Sequence, residues 1–135
     1  MWNHRSEHPV ENVSQGEQWT VQQIHAIVQG GLWNATAVFV TWDDWGGWYD
    51  HVTPPEVERW HDGTPFRYGS RVGCLVLGAF AKQSYVSKVL HSHVSLVKFC
   101  TTIFQLPVLN QRVQKADPML DCFDFTQPPR PGPAV

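Results

Sequence analysis

At 135 residues, the chain has the length of one domain of modest size. Ten Lys and Arg against twelve Asp and Glu leave a formal charge of −2, so no basic surplus points to a nucleic-acid partner or a membrane surface. No run approaches the ~20 apolar residues that cross a bilayer, and Met1-Trp2-Asn3-His4-Arg5-Ser6-Glu7-His8 has no apolar stretch of the signal-peptide kind.

Residues 1–13 read as an irregular entry segment, with Pro9 disfavouring helix at His8. Ser14-Gln15-Gly16-Glu17 has the form of a capping box, and Val21, Ile24, Ile27 and Val28 then fall on one helical face that stops at Gly30-Gly31. Ala37-Val38-Phe39-Val40 is short, continuous and apolar, which predicts a strand over about 35–42, buried on both faces. Val72-Gly73-Cys74-Leu75-Val76-Leu77 predicts a second such strand. Between them lies a long Gly-, Pro- and Trp-rich segment, and loops of that length in compact domains are usually functional.

A second helix is expected from Val94, with Leu96, Phe99, Cys100, Ile103 and Phe104 as its apolar stripe and Pro107 as its stop. Residues 1–127 make up the expected folded part, and 128–135 a Pro-rich tail expected to be loose. Cys74, Cys100 and Cys122 fit no zinc spacing, and Cys74 and Cys100 sit in apolar runs that suggest buried, inert thiols. Helices alternating with apolar strands predict an α/β arrangement, with a few mostly parallel strands buried between flanking helices.

In parallel α/β sheets, ligands bind at the carboxyl ends of strands. The first strand runs straight into Trp42-Asp43-Asp44-Trp45-Gly46-Gly47-Trp48-Tyr49-Asp50-His51. Two adjacent carboxylates followed by Gly-Gly suit a hard divalent cation, which takes oxygen ligands and needs close backbone approach. A solvated acidic turn packed by aromatics fits the same residues. His8, within Glu7-His8-Pro9, reads either as an exposed polar residue or as a donor to a phosphoryl oxygen. Asp50-His51 is a candidate carboxylate–imidazole pair, although neighbours in regular structure point apart. Capping and exposure account for His91 and His93 around Ser92.

Taken in order, Glu7-His8-Pro9, Gly16-Glu17, Trp33-Asn34-Ala35-Thr36 and the block from Thr41 to Pro55 form a recognisable series. It continues through Gly69-Ser70-Arg71-Val72, Ala81-Lys82, Ser95-Leu96-Val97-Lys98-Phe99 and Phe123-Asp124-Phe125. This series resembles the C-terminal region of the bacterial phosphoesterase family of phospholipases C and acid phosphatases, in the alkaline phosphatase-like superfamily. The resemblance implies part of an alkaline phosphatase-like sandwich and a metal-dependent hydrolase of phosphomonoesters or phosphodiesters, including phospholipids. It also implies that Asp43 and Asp44 ligate a divalent metal ion and that His8 is a catalytic contact to the phosphoryl group.

Family members are typically secreted or periplasmic. Their Ser or Thr nucleophile and Glu-Asn metal ligands lie in an N-terminal region that this chain does not contain, so it is expected to be an inactive piece by itself. The chain departs from the family at Gly73, where Pro is usual, at Leu77-Gly78-Ala79-Phe80, where Ser-Pro-Tyr is the tendency, and at Arg112-Val113, where Arg-Asp is common. Two other readings are a non-catalytic remnant with a vestigial cation site and a carbohydrate-binding module. The latter rests on Trp2, Trp19, Trp33, Trp42, Trp45, Trp48 and Trp60.

Overall fold

A computed structural model describes residues 6–134 of the chain, so the expectations for residues 1–5, Trp2 among them, lie outside the described residues. The described residues are α/β in character, with three α-helices and two small antiparallel sheets. They form two compact units, residues 6–79 with 129–134, and Phe80–Pro128.

In the first unit, α1 spans Val13–Gln29. Its N-cap is Asn12, not the Ser14 expected from the capping-box pattern: the Asn12 side chain accepts from the Ser14 amide at 3.0 Å. Asn is among the best capping residues, and it stands two positions earlier. The helix ends where expected, with Gly30 as C-cap and Gly31 at φ +71°, a conformation that favours glycine.

A single 3-10 turn, Trp33–Ala35, then delivers β1, Ala37–Thr41. Next come β2, Glu56–Arg59, β3, Pro65–Arg67, and β4, Cys74–Gly78. β2 and β3 form a hairpin across Asp62-Gly63. Asp62 Oδ1 accepts from the amide and hydroxyl of Thr64, Gly63 adopts φ +83°, and Trp60 meets Phe66 edge-on.

The pairing of β1 with β4 corrects the expectation of parallel strands: they are antiparallel, with Ala37 opposite Gly78 and Thr41 opposite Cys74. A parallel pair needs a crossover, usually helical. The connection between these strands contains no helix, and it brings the chain back in the opposite direction. Nor is either strand buried on both faces, since most residues of β1 are half-buried and Leu75 of β4 is 56% exposed. The expected buried thiols are corrected as well, because Cys74 and Cys100 are exposed and Cys122 is buried.

The core of this unit gathers at Trp33, whose indole Nε1 donates to the Arg130 carbonyl at 3.0 Å, while the Arg130 amide donates to Ala79. Gly132 lies against Val28 and the Trp33 ring so closely that a Cβ there would collide. The Pro-rich segment is therefore tied down at these residues.

In the second unit, α2 spans His93–Ile103 and α3 spans Gln111–Lys115. The buried Ser95 hydroxyl accepts from the Ser92 amide at 3.2 Å, which anchors the start of α2. Of the stripe expected on α2, Phe99 is buried, whereas Cys100, Ile103 and Phe104 are exposed. Phe99 stacks on Phe123 at 5.3 Å between ring centroids, and Phe123 stacks on Phe125 at 5.6 Å. Ala81 bridges to Phe123, which joins the two ends of this unit's chain.

Candidate active site

The antiparallel register decides what surrounds the carboxylate pair. Because Thr41 faces Cys74, the carboxyl end of β1 lies beside the segment Arg71-Val72-Gly73 that leads into β4. Asp43 and Asp44 follow β1 by two and three residues, at the strand end expected for them, although that strand is only half-buried. They line a groove of about 870 Å³ together with Glu7, His8, Trp42, Trp45 and Arg71, all within the first unit.

Backbone amides orient both carboxylates. Asp43 Oδ1 accepts from the Asp44 amide at 3.1 Å, and Asp44 Oδ1 accepts from the Gly46 amide at 2.6 Å. Gly46 and Gly47 have φ of +68° and +80°, so the chain turns sharply behind the pair in a conformation costly for other residues. Both carboxylates are exposed.

His8 sits on the turn closed by the Glu11 amide and the His8 carbonyl, at 2.9 Å. Its Nδ1 lies 3.1 Å from the Pro9 carbonyl, which can only accept, so Nδ1 carries the proton. In the neutral ring, Nε2 then bears the lone pair. Donation from Nε2 to a phosphoryl oxygen requires the protonated ring.

Glu7 connects this turn to β1, because Trp42 Nε1 donates to Glu7 Oε2 at 2.7 Å. The Trp42 ring in turn covers Gly73, with Cζ3 2.9 Å from where a Cβ would stand. A proline ring at position 73 would collide with it, which gives a physical reason for the departure noted there. Thr41 Oγ1 donates to the Gly73 carbonyl at 2.7 Å and so closes the strand pair.

Asp50 and His51 do not pair with each other as candidates. Asp50 accepts from the Nε, Nη2 and backbone amide of Arg71 at 2.8–3.2 Å. These bonds from Arg71 hold its carboxyl well below the usual carboxylate range. His51 meets the Tyr49 ring edge-on at 5.1 Å. Sequence reasoning missed the Asp50–Arg71 clamp, which joins residues 21 positions apart.

The donor set agrees in kind with a hard cation: carboxylate oxygens at a strand end, with glycines letting the backbone close in. It is incomplete, however. Among the described residues, no third Asp, Glu, His or Cys joins Asp43 and Asp44 in a compact ligand cluster.

The Phosphoesterase family profile matches residues 2–107. The chain belongs to the Phosphoesterase family. Within it, the chain is similar to Phospholipase C A of Mycobacterium tuberculosis (strain ATCC 25618 / H37Rv), at 26% identity over 147 aligned positions covering 93% of this chain and 28% of that protein. It is similar to Phospholipase C B of the same strain at 28% identity, covering 94% and 29%. It is also similar to Non-hemolytic phospholipase C of Burkholderia pseudomallei (strain K96243) at 28% identity, covering 73% and 17%. The chain thus spans less than a third of the length of these Phosphoesterase relatives.

Proposed function

We propose that this chain carries the metal-carboxylate part of a metal-dependent phosphoester hydrolase of the phospholipase C or acid phosphatase type, with an alkaline phosphatase-like fold in the complete enzyme. The observation that carries the reading is the Asp43–Asp44 pair at the end of β1, in one groove with His8 and inside the stretch matched by the family. Phospholipase C relatives over most of the chain support a phosphoester substrate, phospholipid among them.

Asp43 and Asp44 would hold a divalent cation, which polarises a phosphoryl oxygen and lowers the pKa of an attacking hydroxyl when bound. The amides of Asp44 and Gly46 fix one oxygen of each carboxylate and so orient the pair. The Pro9 carbonyl fixes the His8 ring, whose protonated form donates from Nε2 to a phosphoryl oxygen. Trp42 and Trp45 wall the groove.

The nucleophile and the remaining metal ligands belong to the part of the enzyme outside this chain, and these parts act as a unit. Thr41, the hydroxyl nearest the pair in sequence, is committed to Gly73. The isolated chain is therefore a non-catalytic piece.

The test is hydrolysis of nitrophenyl phosphate and nitrophenyl phosphorylcholine. The chain alone gives no rate above background. Put in place of the matched stretch of Phospholipase C B, it supports turnover, which Asp43→Asn or Asp44→Asn lowers by at least about a hundredfold, since even outer-shell partners of a metal are worth 10–100-fold. His8→Ala lowers it less. Turnover by the isolated chain that ignores both Asp substitutions contradicts the reading.

A further inference from the structure

The second unit holds a separate cluster that the groove chemistry does not use. His91 Nε2 lies 3.7 Å from Asp121 Oδ1, and Cys122 Sγ lies 3.7 Å from the same oxygen. With one ligand atom taken from each, His91, Asp121 and Cys122 all fall within 4.8 Å of one another. A tetrahedral zinc with bonds of 2.0–2.3 Å places its ligand atoms roughly 3.3–3.8 Å apart. Two of the three edges, Nε2 to Oδ1 and Sγ to Oδ1, therefore already match.

The surroundings are those of a built site. His91 is largely buried, with 18% of its side chain exposed, and Cys122 is buried. Among the described residues His91 Nδ1 is buried without a hydrogen-bond partner, 3.4 Å from Asp117 Oδ1. A ligating imidazole characteristically directs its second N–H at a carboxylate. The second oxygen of Asp121 is held by the Ser87 hydroxyl at 2.5 Å and the Tyr85 hydroxyl at 3.0 Å, which turns Oδ1 toward His91 and Cys122. Ser87 Oγ also stands 3.0 Å from His91 Nε2, so the bond between them gives way when an ion takes Nε2.

We infer that His91 Nε2, Asp121 Oδ1 and Cys122 Sγ form a binding site for a zinc-class divalent ion, oriented by Asp117, Ser87 and Tyr85 and distinct from the Asp43–Asp44 groove. One nitrogen, one oxygen and one sulfur donor select a borderline-soft ion, whereas magnesium and calcium take all-oxygen sets. Three protein ligands leave a fourth position to water, so the site is open rather than closed.

The experiment uses the full chain carrying Cys74→Ser and Cys100→Ser, which removes the two exposed thiols as adventitious ligands. Cobalt(II) is titrated as a spectroscopic probe, and zinc is measured by competition with a chromophoric chelator. The expected result is one equivalent of ion, with a thiolate-to-cobalt charge-transfer band and the intense visible bands of a tetrahedral centre. Cys122→Ser abolishes the charge-transfer band, His91→Asn weakens zinc binding by more than a hundredfold, and Asp117→Asn weakens it 10–100-fold. Asp43→Asn leaves binding unchanged.

Circular dichroism checks that each variant is folded. If Cys122→Ser or His91→Asn unfolds, the wild-type cobalt spectrum decides the matter. A cobalt complex without a thiolate band, an absence of zinc uptake at micromolar free zinc, or binding lost in Asp43→Asn overturns the site.

Discussion

Glu7 is held between Gly16 and Trp42: its Cγ fills the space a Cβ on Gly16 would need, and its Oε2 accepts from Trp42 Nε1 at 2.7 Å. Through this residue, the start of α1, the turn bearing His8 and the end of β1 are positioned together. A methyl group on Gly16 drives Glu7 away from Trp42. Gly16→Ala is expected to destabilise the chain by about 1–2 kcal/mol through overpacking. In a Glu7→Ala background the clash is gone, and the same substitution should stabilise by up to about 1 kcal/mol from helix propensity alone. Urea unfolding followed by circular dichroism measures both arms. The same sign in both backgrounds contradicts the packing.

Val10 occupies the third position of the His8–Glu11 turn at φ +84°, with its side chain fully exposed. Left-handed backbone costs an L-residue roughly 1–2 kcal/mol, and glycine is the residue such turns favour there. Val10→Gly loses no packing. Allowing for the added freedom of glycine in the unfolded chain, it should stabilise by about 0.5–1 kcal/mol. A loss of stability in thermal or urea unfolding means that the turn does not hold Val10 in this conformation.

Much of this arrangement was legible in the residues, and what was not has identifiable causes. Local signals placed the body of α1, its Gly30-Gly31 stop, the existence of β1 and β4, and the carboxylates at a strand end. Strand direction was not local. The run Ala37-Val38-Phe39-Val40 looks the same whether its partner is parallel or antiparallel, and the alternation of helices with all-apolar strands suggested a parallel sheet. Asp62-Gly63 between Glu56–Arg59 and Pro65–Arg67 was a usable hairpin signal, and recognising it would have argued against a helical crossover and so against parallel pairing.

The N-cap was misplaced because Ser14 and Asn12 both suit the role, and only geometry separates them. The Asp50–Arg71 clamp and the approach of His91 to Asp121 join residues 21 and 30 positions apart, with no periodicity to announce either.

The Asp50–Arg71 clamp sets an acid limit on the segment between them. Hydrogen bonds from Arg71 depress the Asp50 pKa in the folded state. The stability this contributes is fully present above the unfolded carboxylate value of about 3.9, and it is lost as pH falls from there through the depressed folded value. Arg71→Gln should return the Asp50 carboxyl toward the ordinary range and move the acid-sensitive window upward. Titration of the Asp50 side-chain carbon resonance by NMR reads this directly. An unchanged titration in Arg71→Gln removes the clamp as its cause.

The most direct test of the Asp43–Asp44 reading is site-resolved manganese(II) binding by the chain itself, since it needs no other part of an enzyme. Two carboxylates are too few ligands for tight capture of a hard cation, so affinity is expected to be weak, on the order of 10⁻³ M. Within the first unit, paramagnetic broadening in a backbone NMR spectrum should begin at the amides of Asp43, Asp44 and Gly46, spread to His8, and disappear there in Asp43→Asn/Asp44→Asn. Broadening that spares the amides of Asp43, Asp44 and Gly46, or that survives the double substitution at those same amides, contradicts the assignment of Asp43 and Asp44 as the cation-binding pair.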